Sequence, residues 1–122
     1  MLFHASIPAD DPERVARVIA EVWRGESMAF PPVPGTFIAF AGDDRGSEIE
    51  VGPRGREGYP AEGEIGMKTN PSPSTYSESH LLLGTPRNEA EVLAIAEREG
   101  WIARACDRGG MFRLIEFWLE NK

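Results

Sequence analysis

Residues 2–25 read LFHASIPADDPERVARVIAEVWRG and carry the clearest structural pattern of the chain. The apolar run Leu2–Ile7 predicts a short strand. Asp10 or Asp11 is a typical helix N-cap, and Pro12 follows at a first-turn position that needs no N–H. Apolar residues then recur at helical spacing up to Gly25, a common helix terminator. The stretch therefore predicts a strand, a polar turn and an amphipathic helix, whose apolar stripe is Val15, Val18, Ile19, Val22 and Trp23.

The same pattern returns 76 residues later, where positions 80–100 read HLLLGTPRNEAEVLAIAEREG. Without a gap, this shift aligns His4 with His80 and superimposes two identical Ile-Ala-Glu triplets. It predicts a second strand at His80–Leu83, followed by a helix that Thr85 or Asn88 caps. The chain is therefore interpreted as an internal repeat, with two copies of one structural unit.

The rest of the sequence completes each unit with further strands. Between the units, 11 of the 26 residues from 54 to 79 are Gly, Pro or Ser, which is typical of a loop. We therefore expect one α+β domain of two β-α-β-β-β modules, residues 1–53 and 80–122, joined by a linker at 54–79. The prolines at 31, 32 and 34 should interrupt any strand near Met28–Phe30. The further predicted strands are Thr36–Ala41, Ser47–Val51, Glu64–Met67, Trp101–Ala105 and Met111–Glu120.

Composition narrows the class of protein. The 122 residues include 13 basic and 20 acidic side chains, and the net charge of −7 argues against a nucleic-acid or anionic-membrane surface. No apolar run approaches the roughly 18 residues of a membrane helix, and the N-terminus lacks a signal-peptide pattern. The single cysteine, Cys106, excludes an internal disulfide framework and indicates a reducing, cytoplasmic location.

Both histidines fall at the same position of the repeat. Strand parity places His4 on the face opposite the predicted helix, together with Glu48 and Glu50. The orientation of His80 rests on the repeat alone. Imidazole nitrogens and carboxylate oxygens suit Zn²⁺, Ni²⁺, Fe²⁺ or Mn²⁺, although a single strand histidine is more often only hydrogen-bonded or exposed.

The paired modules, with His4 inside FHASIPADD at 3–11, resemble the vicinal oxygen chelate superfamily. That superfamily includes glyoxalase I, extradiol dioxygenases and bleomycin-resistance proteins. The resemblance implies a divalent-metal-dependent lyase, isomerase or dioxygenase that acts on a small oxygen-rich substrate. Its metal ligands come from the first and last strands of each module, which match His4, Glu50 and His80.

The fourth ligand is less well defined. Leu114-Ile115-Glu116-Phe117 looks like the terminal strand of the superfamily, which makes Glu116 the candidate, with Glu120 on the same face as the reserve. The repeat instead places the counterpart of Glu50 near position 126, so the second module is expected to be one strand shorter. Glu48 or Glu116 is the carboxylate expected to move a proton.

A second function is also compatible with the resemblance. A metal-free protein of the same fold would bind a planar or hydrophobic small molecule between aromatic side chains, and Trp101 and Trp118 are the candidates. A shortened second module would leave an unpaired sheet edge, which a second copy of the chain would cover to form a homodimer.

Overall fold

The computed structural model describes residues 3–78 and 80–122. Leu2 of the predicted first strand and Ser79 of the predicted linker lie outside the described residues. The described residues contain two α-helices and eight strands, and every strand pair except β1–β4 is antiparallel, so the α+β class is confirmed. In chain order the elements are β1 (His4–Ala9), α1 (Pro12–Trp23), β2 (Glu26–Ala29), β3 (Phe37–Phe40), β4 (Glu48–Pro53), β5 (Arg56–Pro60), β6 (Ile65–Thr69), α2 (Glu89–Glu99), β7 (Ile102–Asp107), β8 (Arg113–Trp118) and a 3₁₀ turn (Leu119–Asn121).

The main sheet contains four strands in the order β1-β4-β3-β2, with β1 at one edge. β1 runs parallel to β4, whereas β3 is antiparallel to both β4 and β2. The parallel register places His4 opposite Glu48 and Ser6 opposite Glu50. α1 covers one face of this sheet, and the core between them contains Val15, Val18, Ile19, Ala39, Ile49 and Val51.

α1 begins after one of the two predicted caps, whereas Arg24, and not the predicted terminator Gly25, is its left-handed C-cap. The Asp11 side chain is the N-cap and accepts a hydrogen bond from the Arg14 amide at 3.1 Å. At the other end Arg24 adopts the left-handed conformation, and the chain then turns sharply at Gly25. A Cβ at Gly25 would lie 1.8 Å from the carbonyl oxygen of Phe40, so only glycine fits where this turn approaches β3.

α2 has a complete N-terminal cap. Asn88 and Glu91 form a capping box, and Gly100 ends the helix in the left-handed conformation. Its buried face adds Ile95 to the core beside α1, together with Trp101. Within the described residues, no helix is both long enough and apolar enough to cross a membrane.

Two hairpins lie outside the main sheet. β5 pairs with β6 inside the stretch predicted as a linker, where only the strand at Glu64–Met67 was expected. β7 pairs with β8, and the predicted strand Met111–Glu120 is shorter than expected because residues 119–121 form the 3₁₀ turn. β2 lies just before the prolines and depends on its pairing with β3, a contact that local sequence does not reveal.

The predicted strand at His80–Leu83 is wrong. These residues have no regular secondary structure and pair with no strand among those described. The chain that follows is held by side chains instead, because Trp23 Nε1 donates to the carbonyl of Gly84 at 3.0 Å. Thr85 and Arg87 donate to carbonyl oxygens in the last turn of α1 at 2.5 and 2.6 Å. The last carbonyls of a helix have few donors within the helix, and Thr85 here supplies one to Val22. The Glu21 carbonyl accepts from the Arg24 amide as well as from Arg87.

Candidate functional site

The face of the main sheet opposite α1 carries the polar residues expected there. In β4, Ile49 and Val51 are buried toward α1, so Glu48 and Glu50 point to the other face. The parallel register brings His4 and Ser6 of β1 alongside these two carboxylates. Two adjacent strands therefore present one imidazole, one hydroxyl and two carboxylates on a single face.

His4 lies between the two glutamates. Its Nε2 is 3.2 Å from Glu50 Oε2, and its Nδ1 is 3.7 Å from Glu48 Oε1. The Ser6 hydroxyl donates to the same Glu50 oxygen at 3.3 Å and lies 3.0 Å from His4 Nε2. The glutamate side chains are largely covered, whereas the His4 side chain is 45% exposed, so the imidazole is open to an incoming ligand.

No basic side chain neutralises these carboxylates. Among the described residues, Glu48 and Glu50 form ion pairs only with His4. Glu99, by contrast, is buried, which raises its pKa, but hydrogen bonds from three arginines more than offset this and lower the pKa to about 2. The negative charge of Glu48 and Glu50 is therefore available to a cation, unlike that of Glu99.

The separation of His4 and Glu50 suits two ligands of one divalent ion. Ligand bonds of about 2.1 Å at tetrahedral or octahedral angles place neighbouring ligand atoms about 3.0 to 3.4 Å apart. The observed 3.2 Å between Nε2 and Oε2 falls inside that interval. Among residues 3–78 and 80–122, however, no group of three or more His, Cys, Asp or Glu side chains is arranged to hold a metal ion. The donors present thus fit two positions of a coordination sphere.

His80, the third residue of the expected ligand set, does not contact this group. It is exposed, and its Nδ1 lies 2.9 Å from the backbone carbonyl of Glu78. The reason is the missing strand, because without pairing beside β1 nothing directs the imidazole toward the open face of the main sheet.

The two candidates for the fourth ligand are engaged elsewhere. Glu116 lies in β8, outside the main sheet, and pairs with Arg108 across the turn of its own hairpin. Glu120 accepts hydrogen bonds from the amides of Asp10 and Asp11 at 2.8 and 2.7 Å. Its negative charge there interacts favourably with the positive, N-terminal end of the α1 dipole. The structure therefore brings together His4, Glu48 and Glu50 only.

A cleft adjoins His4 at the end of the main sheet where β1, the edge strand, and β4 begin and β3 ends. It has a volume of about 580 Å³, within the range of small-molecule sites. We call it the β1-edge cleft; its lining includes Phe3, His4, Trp23, Asp43, Glu48 and Leu81–Leu83. The run of three consecutive leucines at 81–83 was the one sequence signal of this cleft, and it was interpreted as part of a strand.

The two tryptophans expected to bind a ligand lie away from this cleft. Trp101 is 7% exposed, and its ring packs edge-on against Phe117, with the Arg14 guanidinium 5.0 Å from the ring centroid. Trp118 is exposed on β8 and does not line the cleft. Trp23 and Phe3 are the aromatic residues of the β1-edge cleft, and sequence reasoning assigned Trp23 only to the apolar stripe of α1.

Comparison of the chain with protein-family models, with curated proteins and with solved structures gives no match.

Proposed function

We propose that this chain is a divalent-metal-dependent enzyme of the vicinal oxygen chelate type, acting on a small oxygen-rich substrate. The observation that carries the proposal is the 3.2 Å separation of His4 Nε2 and Glu50 Oε2 on the open face of the main sheet. β1 and β4, which hold them, are the two strands from which the resemblance takes the ligands of the first module. The proposal includes a second module built on α2, β7 and β8.

In this proposal His4 and Glu50 hold the ion, and substrate oxygens or water fill its other positions. A bound divalent ion would polarise a substrate carbonyl as a Lewis acid. Glu48 Oε1 lies 3.7 Å from the other imidazole nitrogen, so it would orient the ring and accept the Nδ1 proton once Nε2 binds the ion. Ion binding would replace the contact between Nε2 and the Ser6 hydroxyl. Glu48 would not hold the ion, so its carboxylate would be available to accept a substrate proton, which is the catalytic role proposed for it.

Metal content tests the proposal directly. Protein would be stripped with a chelator, dialysed against Zn²⁺, Ni²⁺ or Mn²⁺, and analysed for bound metal per chain. We expect about one ion per chain, and at least a tenfold loss of affinity in His4→Ala and in Glu50→Gln. His80→Ala and Glu116→Gln are matched controls, because neither residue contacts the His4–Glu50 pair, and both should bind metal like the parent chain. Equal binding by all four variants would overturn the proposal.

A metal-free small-molecule binding protein is the second candidate. Two observations favour it, namely the cleft beside His4 and the absence of a third ligand near His4 and Glu50 in the part of the chain described. In that case the chain would bind its ligand equally well with and without a chelator. Small-molecule binding that persists in EDTA, combined with no retained metal, would select this function over the enzyme.

A second copy of the chain is the proposed macromolecular partner. No strand among residues 3–78 and 80–122 pairs with the outer edge of β1, so this edge could pair with a strand of another copy, which supports a homodimer. Sedimentation at micromolar concentration would separate a dimer from a monomer of 13.5 kDa.

A further inference from the structure

The β1-edge cleft differs from the His4–Glu50 pair in having large apolar walls. Trp23 lines it from the end of α1, Phe3 lines it from the position before β1, and residues 81–83 add three leucines to the lining. Leu82 is 78% exposed and Phe3 is 52% exposed, a high exposure for side chains of this type. Burying such surface against an apolar ligand is favourable in proportion to the area covered.

The charged groups of the β1-edge cleft are of one sign. Asp43 and Glu48 line it, whereas no lysine or arginine does so among the described residues. A hydrogen bond from the Ser47 hydroxyl is the main cause that holds the pKa of Asp43 below its usual range, so this carboxylate is ionised near neutral pH. The one remaining titratable group of the lining is the His4 imidazole. The cleft thus offers negative charge beside apolar walls, and no cation that would hold a phosphate, sulfate or carboxylate.

We propose that the β1-edge cleft binds a small organic cation, with an apolar body between Trp23, Phe3 and the leucines and an ammonium group beside Glu48. The aromatic rings add to this preference, because a cation over an aromatic face is attracted by its negative potential. The inference goes beyond the proposed function by excluding anionic substrates, and it applies equally to the enzyme and to the binding protein. It does not require a bound metal.

Three probes of similar shape and different charge would test this inference. Naphthylethylammonium, naphthylethanol and naphthylacetate would be titrated into chelator-treated protein and followed by calorimetry. We expect the ammonium probe to bind about two- to fivefold more tightly than the alcohol, and the carboxylate probe to bind most weakly. The differences in affinity among the three probes should decrease at high salt, because the carboxylates of the cleft are partly exposed to solvent.

Two kinds of variant separate the charged and apolar contributions. Glu48→Gln should weaken the ammonium probe selectively and leave the alcohol within twofold. Leu81→Gln and Leu83→Gln should weaken all three probes by a similar factor. Ile65→Gln is the matched control, because Ile65 is also exposed, lies on the β5–β6 hairpin and does not line the cleft. Circular dichroism and thermal melting of each variant would establish that it is folded.

Three results would overturn the inference: a carboxylate probe that binds as tightly as the ammonium probe, binding that Glu48→Gln does not change, or no binding of any probe at millimolar concentration. The proposed metal site fails by a different measurement. Loss of probe binding with intact metal binding would reject only the ligand class. Absence of metal binding with the expected order of probes would reject only the metal-dependent function.

Discussion

Replacing Glu99 by Gln should destabilise the chain in a pH-dependent way, because this carboxylate joins the two helices. Arg14 of α1 donates to a Glu99 carboxylate oxygen at 2.8 Å and to the Glu99 backbone carbonyl at 2.7 Å. Arg17 and Arg98 approach the same carboxylate at 3.3 and 2.8 Å. The Glu99 side chain is only 6% exposed, so solvent screens these contacts weakly.

The size of the effect follows from the pKa of Glu99. Burial raises this pKa, but hydrogen bonds from Arg98, Arg14 and Arg17 outweigh burial and lower it from 4.5 to about 2. Such a difference between unfolded and folded chain contributes about 3 kcal/mol to the free energy of unfolding at neutral pH. Because the folded pKa is the lower one, the contribution is complete above about pH 5 and disappears as the pH falls toward 2.

Urea denaturation at a series of pH values would measure this effect. At pH 7 we expect the free energy of unfolding of Glu99→Gln to be about 3 kcal/mol lower than that of the parent chain. This difference should decrease steadily as the pH falls from 5 to 2. Glu97→Gln is the control, since Glu97 is exposed on the same helix and forms no ion pair among the described residues. A difference for Glu99→Gln that stays constant from pH 7 to 2 would refute the assignment of this energy to an ionised carboxylate.

Three further substitutions test the fold. Gly25→Ala should lower the free energy of unfolding, measured in urea, by about 2 kcal/mol, because its Cβ would collide with the Phe40 carbonyl. Gly84→Ala has no atom near its Cβ and should lower it by less than about 0.5 kcal/mol. Equal losses would contradict the close approach of Gly25 to Phe40. Asn88→Ala should lower the free energy of unfolding by about 1 kcal/mol through loss of the capping box, and an unchanged urea midpoint would argue against that cap. Trp101→Ala should lower it by about 3 to 5 kcal/mol yet leave metal affinity unchanged, and weakened metal binding by folded protein would contradict its purely structural role.

The local signals of the sequence were sufficient for α1 and α2. Of the alternatives that the sequence left open, Asp11 rather than Asp10 and Asn88 rather than Thr85 are the N-caps, and Gly100 ends α2 as predicted. A helix terminus is determined by a few neighbouring residues. The alternation in β4 was also informative, since one buried face requires the other to be open, and this placed Glu48 and Glu50 together with His4.

Contacts distant in sequence could not be predicted in the same way. Three consecutive leucines are compatible with a buried strand or with the wall of a cleft. The choice depended on hydrogen bonds between the end of α1 and the chain after residue 83, in which Trp23 donates and the carbonyls before it accept. The ion pair between Glu116 and Arg108 likewise depends on the position of β8. The hydrogen bonds that Glu120 accepts just before α1 depend on the position of the 3₁₀ turn. These residues were therefore expected at a metal site from pattern alone.

The central claim is that His4 binds a divalent ion through Nε2. The chain has only two histidines, so a long-range proton–nitrogen NMR spectrum of their imidazoles resolves each ring, and His80→Ala assigns them. On titration with Zn²⁺, we expect the Nε2 resonance of His4 to shift to the range of a metal-bound nitrogen while the nitrogens of His80 stay unchanged. Unchanged His4 nitrogens at saturating Zn²⁺, or a shift confined to His80, would contradict the claim.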